Sequence, residues 1–247
     1  MQTDSLTGVI LAGGTGSRLS PLTNVVNKHL LPVGCYPMIF HPLARLVQMG
    51  IENICIVTGR KDIGKMIEVL GDGTRWGVKI NYAVQHEPGG NAEALRQARP
   101  YVQGNEFVVI QGDNVFDGNL RKQLEKFCHS DNNAKFFLTR VSNPSRFGVA
   151  EVEGGIKKIV EKPQAPPSDF CVTGIYFYDS NVFELIDRVS RRENGELHLT
   201  DVNNLYLENL NTSHFFLERE WIDAGTFSSL QKANNLMADQ RYEIFED

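Results

Sequence analysis

The sequence predicts an α/β fold built on a mostly parallel but mixed sheet flanked by helices, with a small antiparallel hairpin added. Three observations predict it. Short β-branched runs alternate with stretches of helical spacing through the first half of the chain, the pattern of successive βα units. The first of these runs ends in a glycine cluster, at the edge where such a Rossmann-like sheet receives a phosphorylated ligand. Near residue 147 the texture changes to two short alternating strands around Gly154-Gly155, which is a hairpin rather than another βα unit.

Val9, Ile10 and Leu11 form the first strand and run into a loop of Gly13, Gly14 and Gly16, then Arg18, and further on Lys28 ahead of Leu30, Leu31 and Pro32. Strand, glycine loop, arginine and helix make a phosphate cradle, because glycine lets backbone N–H groups approach oxygens that a Cβ would keep away. A dinucleotide fingerprint needs a third glycine where Leu19 stands, and a P-loop needs Gly-Lys-Ser/Thr, which is absent. The flanking cations favour a triphosphate over an ordinary tight turn: Arg18 offers a planar fork of donors and Lys28 a point charge.

Pro37 to Met49 reads as an amphipathic helix closed by Gly50, NICIVTG as a buried strand, and Ile63, Met66, Ile67 and Leu70 as a second helix. A strand from about Val78 to Val84 delivers Gln85 to the carboxyl edge of the sheet. Pro88, Gly89 and Gly90 force a turn, and Asn91 reads as the cap of a helix through Ala92, Leu95 and Ala98. The Gln85 amide both donates and accepts, as reading a nucleobase edge requires, although most glutamines are simply surface residues. Phe107 to Ile110 is a buried strand, and Gly112-Asp113 places a carboxylate just past its end. That aspartate is either a turn former or a ligand for Mg²⁺, which takes one or two carboxylates together with substrate phosphates.

Leu120 to Phe127 reads as a helix and Lys135 to Val141 as a strand. After the hairpin, QAPPS is a stiff linker, CVTGIYFYD a strand, Asn181 to Val189 a helix, and a further helix starts near Thr200. Asp223 stands between Ile222 and Ala224-Gly225, ahead of a helix beginning near Thr226. It would either cap that helix or pair in space with Asp113 as a two-carboxylate magnesium site. The expected organisation is a single domain over residues 1–247, with a nucleotide-binding half at 1–140 and a substrate half at 141–247 sharing one sheet.

Apolar content of 41% and charged content of 22% are ordinary for a globular chain, and a net charge of −5 argues against a nucleic-acid-binding surface. Cys35, Cys55, Cys128 and Cys171 form no CxxC pair and read as reduced thiols. The start MQTDSLT is polar, and the apolar run behind it is too short for a signal peptide or a membrane span. A cytoplasmic protein with no membrane partner is expected.

Taken together, GVILAGGTGSRLSPLT, NKHLLPV, the Gln85 to Ala94 turn, QGDN, FGV, EKP, VTGIYFYD, GELHLTDVN and WIDAGT resemble the sugar-1-phosphate nucleotidyltransferases, most of all the bacterial glucose-1-phosphate thymidylyltransferases. The resemblance runs from Gly8 to about Leu236 and implies the nucleotide-diphospho-sugar transferase type of fold. It implies that a sugar 1-phosphate oxygen attacks the α-phosphorus of dTTP (or UTP) in line, with Mg²⁺ as cofactor, and that pyrophosphate leaves without a covalent intermediate. Arg18 would stabilise the triphosphate and leaving group, Lys28 would contact the phosphates, and Asp113 and Asp223 would hold Mg²⁺. Leu11, Gly13, Gly14, Gln85, Pro88 and Gly90 would bind the nucleotide, with Gln85 and Gly90 reading the pyrimidine. Lys162 would grip the sugar phosphate, Glu161 and the Gly148 backbone would take sugar hydroxyls beside Phe147, and Val172 would line the pocket floor. A homo-oligomer is the family-level expectation.

The departures from the family pattern fall on the sugar side. Asn194 stands where Arg-Gly-Glu-Leu is usual, which removes a cation expected on the sugar phosphate and leaves Arg191 or Arg192, two or three positions upstream, as substitutes. That loss is also what a non-catalytic sugar-nucleotide-binding descendant would show, but Arg18, Lys28, Asp113, Lys162 and Asp223 all remain. Asn91 and Gln111 replace leucines, so two apolar walls become hydrogen-bonding ones. A buried amide left unpaired costs on the order of 1–3 kcal/mol, so partners on the ligand are expected, and with them an acceptor other than plain glucose 1-phosphate or a poor use of it. His29 replaces a common glutamine and reads as a packing change rather than a base. Many relatives continue into a helical extension with a regulatory nucleotide site, so weaker feedback control is expected of this chain.

Overall fold

The computed structural model describes residues 6–245, so residues 1–5 of the polar start read above lie outside it. The first strand, β1 (Thr7–Ala12), is buried along its whole length. No α-helix follows it. Three 3-10 turns, at Ser17–Leu19, Leu22–Asn24 and Lys28–Leu30, carry the chain beyond the glycine loop, which corrects the helix expected there. Pro21 and Pro32 and the β-branched pair Val25-Val26 disfavour a continuous helix, and each turn closes on an i to i+3 bond such as Leu19 N–H to Gly16 O at 2.8 Å. A minimal ribbon of β2 (Pro32–Val33) and β3 (Tyr36–Pro37) comes next, so helix α1 (Phe40–Gln48) starts at Phe40 rather than Pro37.

The alternation then proceeds as read: β4 (Asn53–Gly59), α2 (Ile63–Leu70), β5 (Lys79–Gln85), α3 (Asn91–Gln97) and β6 (Glu106–Gln111). Asn91 is the first residue of α3 and not its cap; Gly90 holds that position at φ 92°, where any Cβ would run into the Leu197 carbonyl. The chain continues through β7 (Asn114–Phe116), α4 (Arg121–Cys128), β8 (Ala134–Arg140) and the hairpin of β9 (Gly148–Val152) and β10 (Ile156–Glu161). It ends with β11 (Phe170–Asp179), α5 (Asn181–Arg188), α6 (Leu199–Asn209), β12 (Thr212–Phe216), β13 (Trp221–Asp223) and α7 (Phe227–Leu236). Thr226 caps α7 in a capping box with Ser229, which frees Asp223 from that duty.

One nine-stranded sheet carries both halves, in the order β10-β9-β11-β6-β1-β4-β5, with β8 paired to β11 and β12 to β8. β1 pairs in parallel with β4 and β6, and β4 with β5. The long strand β11 runs against β6, β8 and β9. Register brings the strand ends level: Leu11 faces Gln111, and Gly59 faces Gln85. The loops at Gly13, Gln85 and Gly112 therefore leave from the same carboxyl edge, where open α/β sheets bind ligands.

Alternation along β1 feeds two cores. Val9 and Leu11 join Leu95, Phe183, Val202 and Tyr206 from α3, α5 and α6, whereas Ile10 and Ala12 join Leu43, Met66 and Leu124 from α1, α2 and α4. A third cluster of Leu19, Val33, Met38, Val115, Leu230 and Ala233 packs α7 against the turns after the glycine loop, which anchors the backbone carrying Arg18. On α1, His41 is buried between the Tyr242 hydroxyl (2.8 Å) and the Val33 carbonyl (2.9 Å), and burial lowers its pKa to about 4. Burial also pushes the Cys55 and Cys171 thiols up to about 12, in keeping with inert structural cysteines. Among the described residues no helix is long and apolar enough to cross a membrane.

Candidate active site

The carboxyl ends of β1, β5 and β6 open into a cleft of about 350 Å³. The glycine loop forms one wall, and it fits Gln85 so closely that a Cβ at Gly13 would overlap the Gln85 amide oxygen. Gln85 is buried and spends one N–H on the Gly90 carbonyl (3.2 Å), which fixes the turn at Pro88 to Gly90 against the end of β5.

Past the end of β6, Asp113 is buried and accepts from Lys28 Nζ at 2.5 Å and from Asn114 Nδ2 at 3.1 Å. Burial, the largest single influence, pushes its carboxyl up, but the charge of Lys28 together with the hydrogen bonds from Lys28 and Asn114 holds it well below the usual carboxylate range. Its partner arrives from far along the chain. β13 pairs antiparallel with β7, setting Asp223 opposite Asn114, and Ala224 N–H donates to the Asp113 carbonyl at 2.9 Å. Burial and the nearby Asp113 charge raise the pKa of the Asp223 carboxyl, while Lys28 and Arg18 pull it down. Arg18 lies close by: a Cβ at Gly225 would stand 2.7 Å from both Arg18 Nη2 and Asp223 Oδ1. Two cations and two carboxylates thus face one another in this part of the cleft.

These residues fit Mg²⁺. Hard oxygen donors on two neighbouring carboxylates, one of them raised in pKa by the other's charge, form an arrangement that a divalent cation relieves. Mg²⁺ takes one or two carboxylates and fills the rest of its octahedral shell with water and substrate phosphates. Asp113 and Asp223 would hold the ion. His29 is buried, accepted by Asn27 Oδ1 at 2.8 Å through Nδ1, and burial followed by the Lys28 charge lowers its pKa to about 3. It is therefore a neutral packing group, as its position suggested.

At the sugar end, β10 finishes on Glu161, whose Oε2 accepts the Thr200 hydroxyl at 2.5 Å and whose Oε1 lies 3.5 Å from Lys162 Nζ. Lys162 has φ 45°, the one positive value at a non-glycine position among the described residues, and its N–H donates to the Phe147 carbonyl at 2.9 Å. Strain of this kind persists where the surroundings demand a particular side-chain placement. Phe147, Gly148 and Val172 line the cleft as expected, and the Trp221 ring meets Phe147 edge-on at 5.6 Å.

The structure corrects the reading of the three departures. Asn194 does not line the cleft: it is exposed, and its side chain accepts from Glu196 N–H (3.1 Å) and donates to Glu196 Oε2 (2.9 Å), closing a local turn. Arg192 is held in a two-point pair with Asp201, and Arg191 bonds the Gly195 carbonyl and Glu93, so neither replaces the missing cation in the cleft. Gln111 and Asn91 do line it, yet both face the protein: Gln111 lies beside the buried Tyr176 side chain, and Asn91 Oδ1 accepts Leu199 N–H at 2.8 Å.

Sequence reasoning missed Asn114, Tyr176, His198, Thr200 and Trp221, all of which line the cleft. Asn114 is the busiest: its Oδ1 accepts Gly174 N–H (2.8 Å) and Trp221 Nε1 (2.6 Å) while its Nδ2 donates to Asp113. Its place directly after Gly112-Asp113 was the available clue.

The family model described as nucleotidyl transferase matches residues 7–240. The chain is 40% identical over 231 residues to a glucose-1-phosphate thymidylyltransferase of Neisseria meningitidis, covering 92% of this chain and 80% of that one. It is 39% identical, with the same coverage, to one of Mycobacterium tuberculosis. A Bacillus anthracis structure assigned to glucose-1-phosphate thymidylyltransferase, in complex with sucrose, matches with a TM-score of 0.92 at 45% identity, over 96% of this chain and 97% of that one. A UDP-glucose pyrophosphorylase complexed with UDP-glucose shares the fold, with a TM-score of 0.82 at 22% identity over 96% and 99% of the two chains.

Proposed function

Because the chain belongs to the nucleotidyl transferase family, we propose that it transfers the nucleotidyl group of dTTP to glucose 1-phosphate or a closely related hexose 1-phosphate, with Mg²⁺, releasing pyrophosphate. The observation that carries this reading is the meeting of Asp113 and Asp223 opposite Lys28 and Arg18, at one end of a cleft whose other end presents Glu161 and Lys162. Bound Mg²⁺ would supply charge neutralisation on the triphosphate. Arg18 holds the phosphates that leave as pyrophosphate, and Lys28 meets charge developing at the α-phosphate. Lys162 orients the phosphate of the acceptor for in-line attack, while Glu161, fixed by Thr200, takes sugar hydroxyls. Gln85 and the Gly90 backbone read the pyrimidine.

With Asn91 Oδ1 paired inside the protein, Gln111 set against Tyr176 and Asn194 outside the cleft, these positions no longer argue against glucose 1-phosphate. Drawing on a nucleoside triphosphate, the reaction belongs in the cytoplasm. The test is pyrophosphate release across a grid of nucleoside triphosphates and sugar 1-phosphates with Mg²⁺. The expected maximum is dTTP with glucose 1-phosphate. Turnover confined to UTP would displace the nucleotide assignment, and no turnover with any pair would sink the reaction itself.

A further inference from the structure

The turn that faces the nucleotide and the segment that faces the sugar are joined by three hydrogen bonds: Leu197 N–H to Gly89 O (2.7 Å), Ala92 N–H to Leu197 O (3.1 Å) and Leu199 N–H to Asn91 Oδ1 (2.8 Å). Backbone alone makes the first two; the third depends on a side chain. Leu199 opens α6, whose first N–H groups have no partner within the helix, and its cap residue His198 supplies no side-chain bond. Asn91 reaches across from the start of α3 to fill that gap.

What α6 carries makes the link consequential. Thr200, the next residue, donates to Glu161, and Asn204 one turn on exchanges two bonds with the Ile159 backbone, both at 2.9 Å. Helix α6 is therefore bolted at two points to β10, the strand that ends on Glu161 and leads into Lys162. Resting on the reaction proposed above, we infer that Asn91 is a positioning residue for the sugar 1-phosphate: by holding the first turn of α6 it sets where Thr200 and Glu161 meet the acceptor. The asparagine thus acts through the protein on a pocket it borders, and ties the sugar end of the cleft to the turn that reads the base.

Steady-state kinetics of Asn91→Ala, Asn91→Leu, Asn91→Asp, Thr200→Val and the Asn91→Ala/Thr200→Val double variant test this, together with amide hydrogen exchange over residues 197–203 of the substrate-free protein. Losing the acceptor should raise KM for glucose 1-phosphate about 5- to 20-fold with KM for dTTP within about 2-fold. Asn91→Asp, which keeps an acceptor oxygen, should recover most of that loss. In the Thr200→Val background Asn91→Ala should add less than about 2-fold, because both act along one route. A stabilising role alone would lower the melting temperature and leave both KM values in place; that result, or full additivity in the double variant, overturns the proposal. Exchange at residues 199–201 should accelerate about 10-fold in Asn91→Ala, and unchanged exchange overturns the proposal whether or not any substrate pair turns over. Absence of turnover in the unmodified protein bears instead on the proposed reaction.

Discussion

The two ends of the cleft present their cations in opposite ways. At one, Lys28 and Arg18 stand beside buried or partly buried carboxylates, Lys28, Arg18 and Asp113 coming from loops that leave neighbouring parallel strands and Asp223 from the β7–β13 ribbon. At the sugar end, Lys162 is 59% exposed on a strained backbone, and the acidic group beside it is fixed by a hydroxyl from a helix. In the first, the Lys28–Asp113 pair is almost entirely out of solvent, whereas in the second the Lys162 ammonium paired with Glu161 stands in water. Both draw on elements distant in sequence: β13 brings Asp223 to the first, and α6 brings Thr200 to the second. In the reaction proposed above, nucleotidyl transfer would thus rest on strand ends and the β7–β13 ribbon, and acceptor recognition on packing between α6, β10 and the turn before α3.

The largest effect should come from Asp113→Asn. Turnover should fall on the order of 10³-fold or more, as one of two carboxylates is lost and Lys28 keeps its charge without an opposing one. Magnesium titration of pyrophosphate release, with circular dichroism to verify the fold, measures it; retained turnover breaks the assignment of the phosphate end. Next, Lys162→Gly should separate strain from function. Glycine accepts φ 45° without penalty, so the melting temperature should hold within about 2 °C while kcat/KM for the sugar phosphate drops roughly 30-fold. Loss of stability with unaltered kinetics would reverse the roles given to backbone and ammonium.

Asn194→Ala should change either KM by less than about 3-fold, as expected for a surface turn. A larger rise for the sugar phosphate alone would extend the sugar end beyond the cleft. The last contrast appears only in acid. His29 and His41, both in the first half, have folded pKa values of about 3 and about 4, below the ordinary 6.5. Their neutral forms therefore contribute stability that is present above pH 6.5 and lost as pH falls toward those values. Urea denaturation should show about 1 kcal/mol lost per histidine between pH 7 and 5.5, and His41→Gln should flatten its share of that slope.

Much of this was legible because it is local. Gly13, Gln85 and Asp113 each sit within a few residues of a strand end, so periodicity alone places them at the carboxyl edge. Tyr176 and Thr200 were not, because nothing local tells a cleft-facing tyrosine in IYFYD from its neighbour Tyr178, or a helix-start threonine from a capping one. The ribbon of β7 and β13 has three-residue strands and no readable period, so the pairing of the two aspartates stayed an alternative until register was known. Asn194 was misread for the opposite reason: its side chain prefers the N–H two residues on to anything across the cleft.

The same ribbon sets a timetable. By Phe216 the chain has supplied every strand of the nine-stranded sheet, yet it owns only one of the two carboxylates, Asp113. Only when Trp221 to Asp223 zip onto Asn114 to Phe116 does the second one arrive. Under the proposed reaction, a chain stopped short of Trp221 would hold every strand of the sheet and still lack half of its acidic pair.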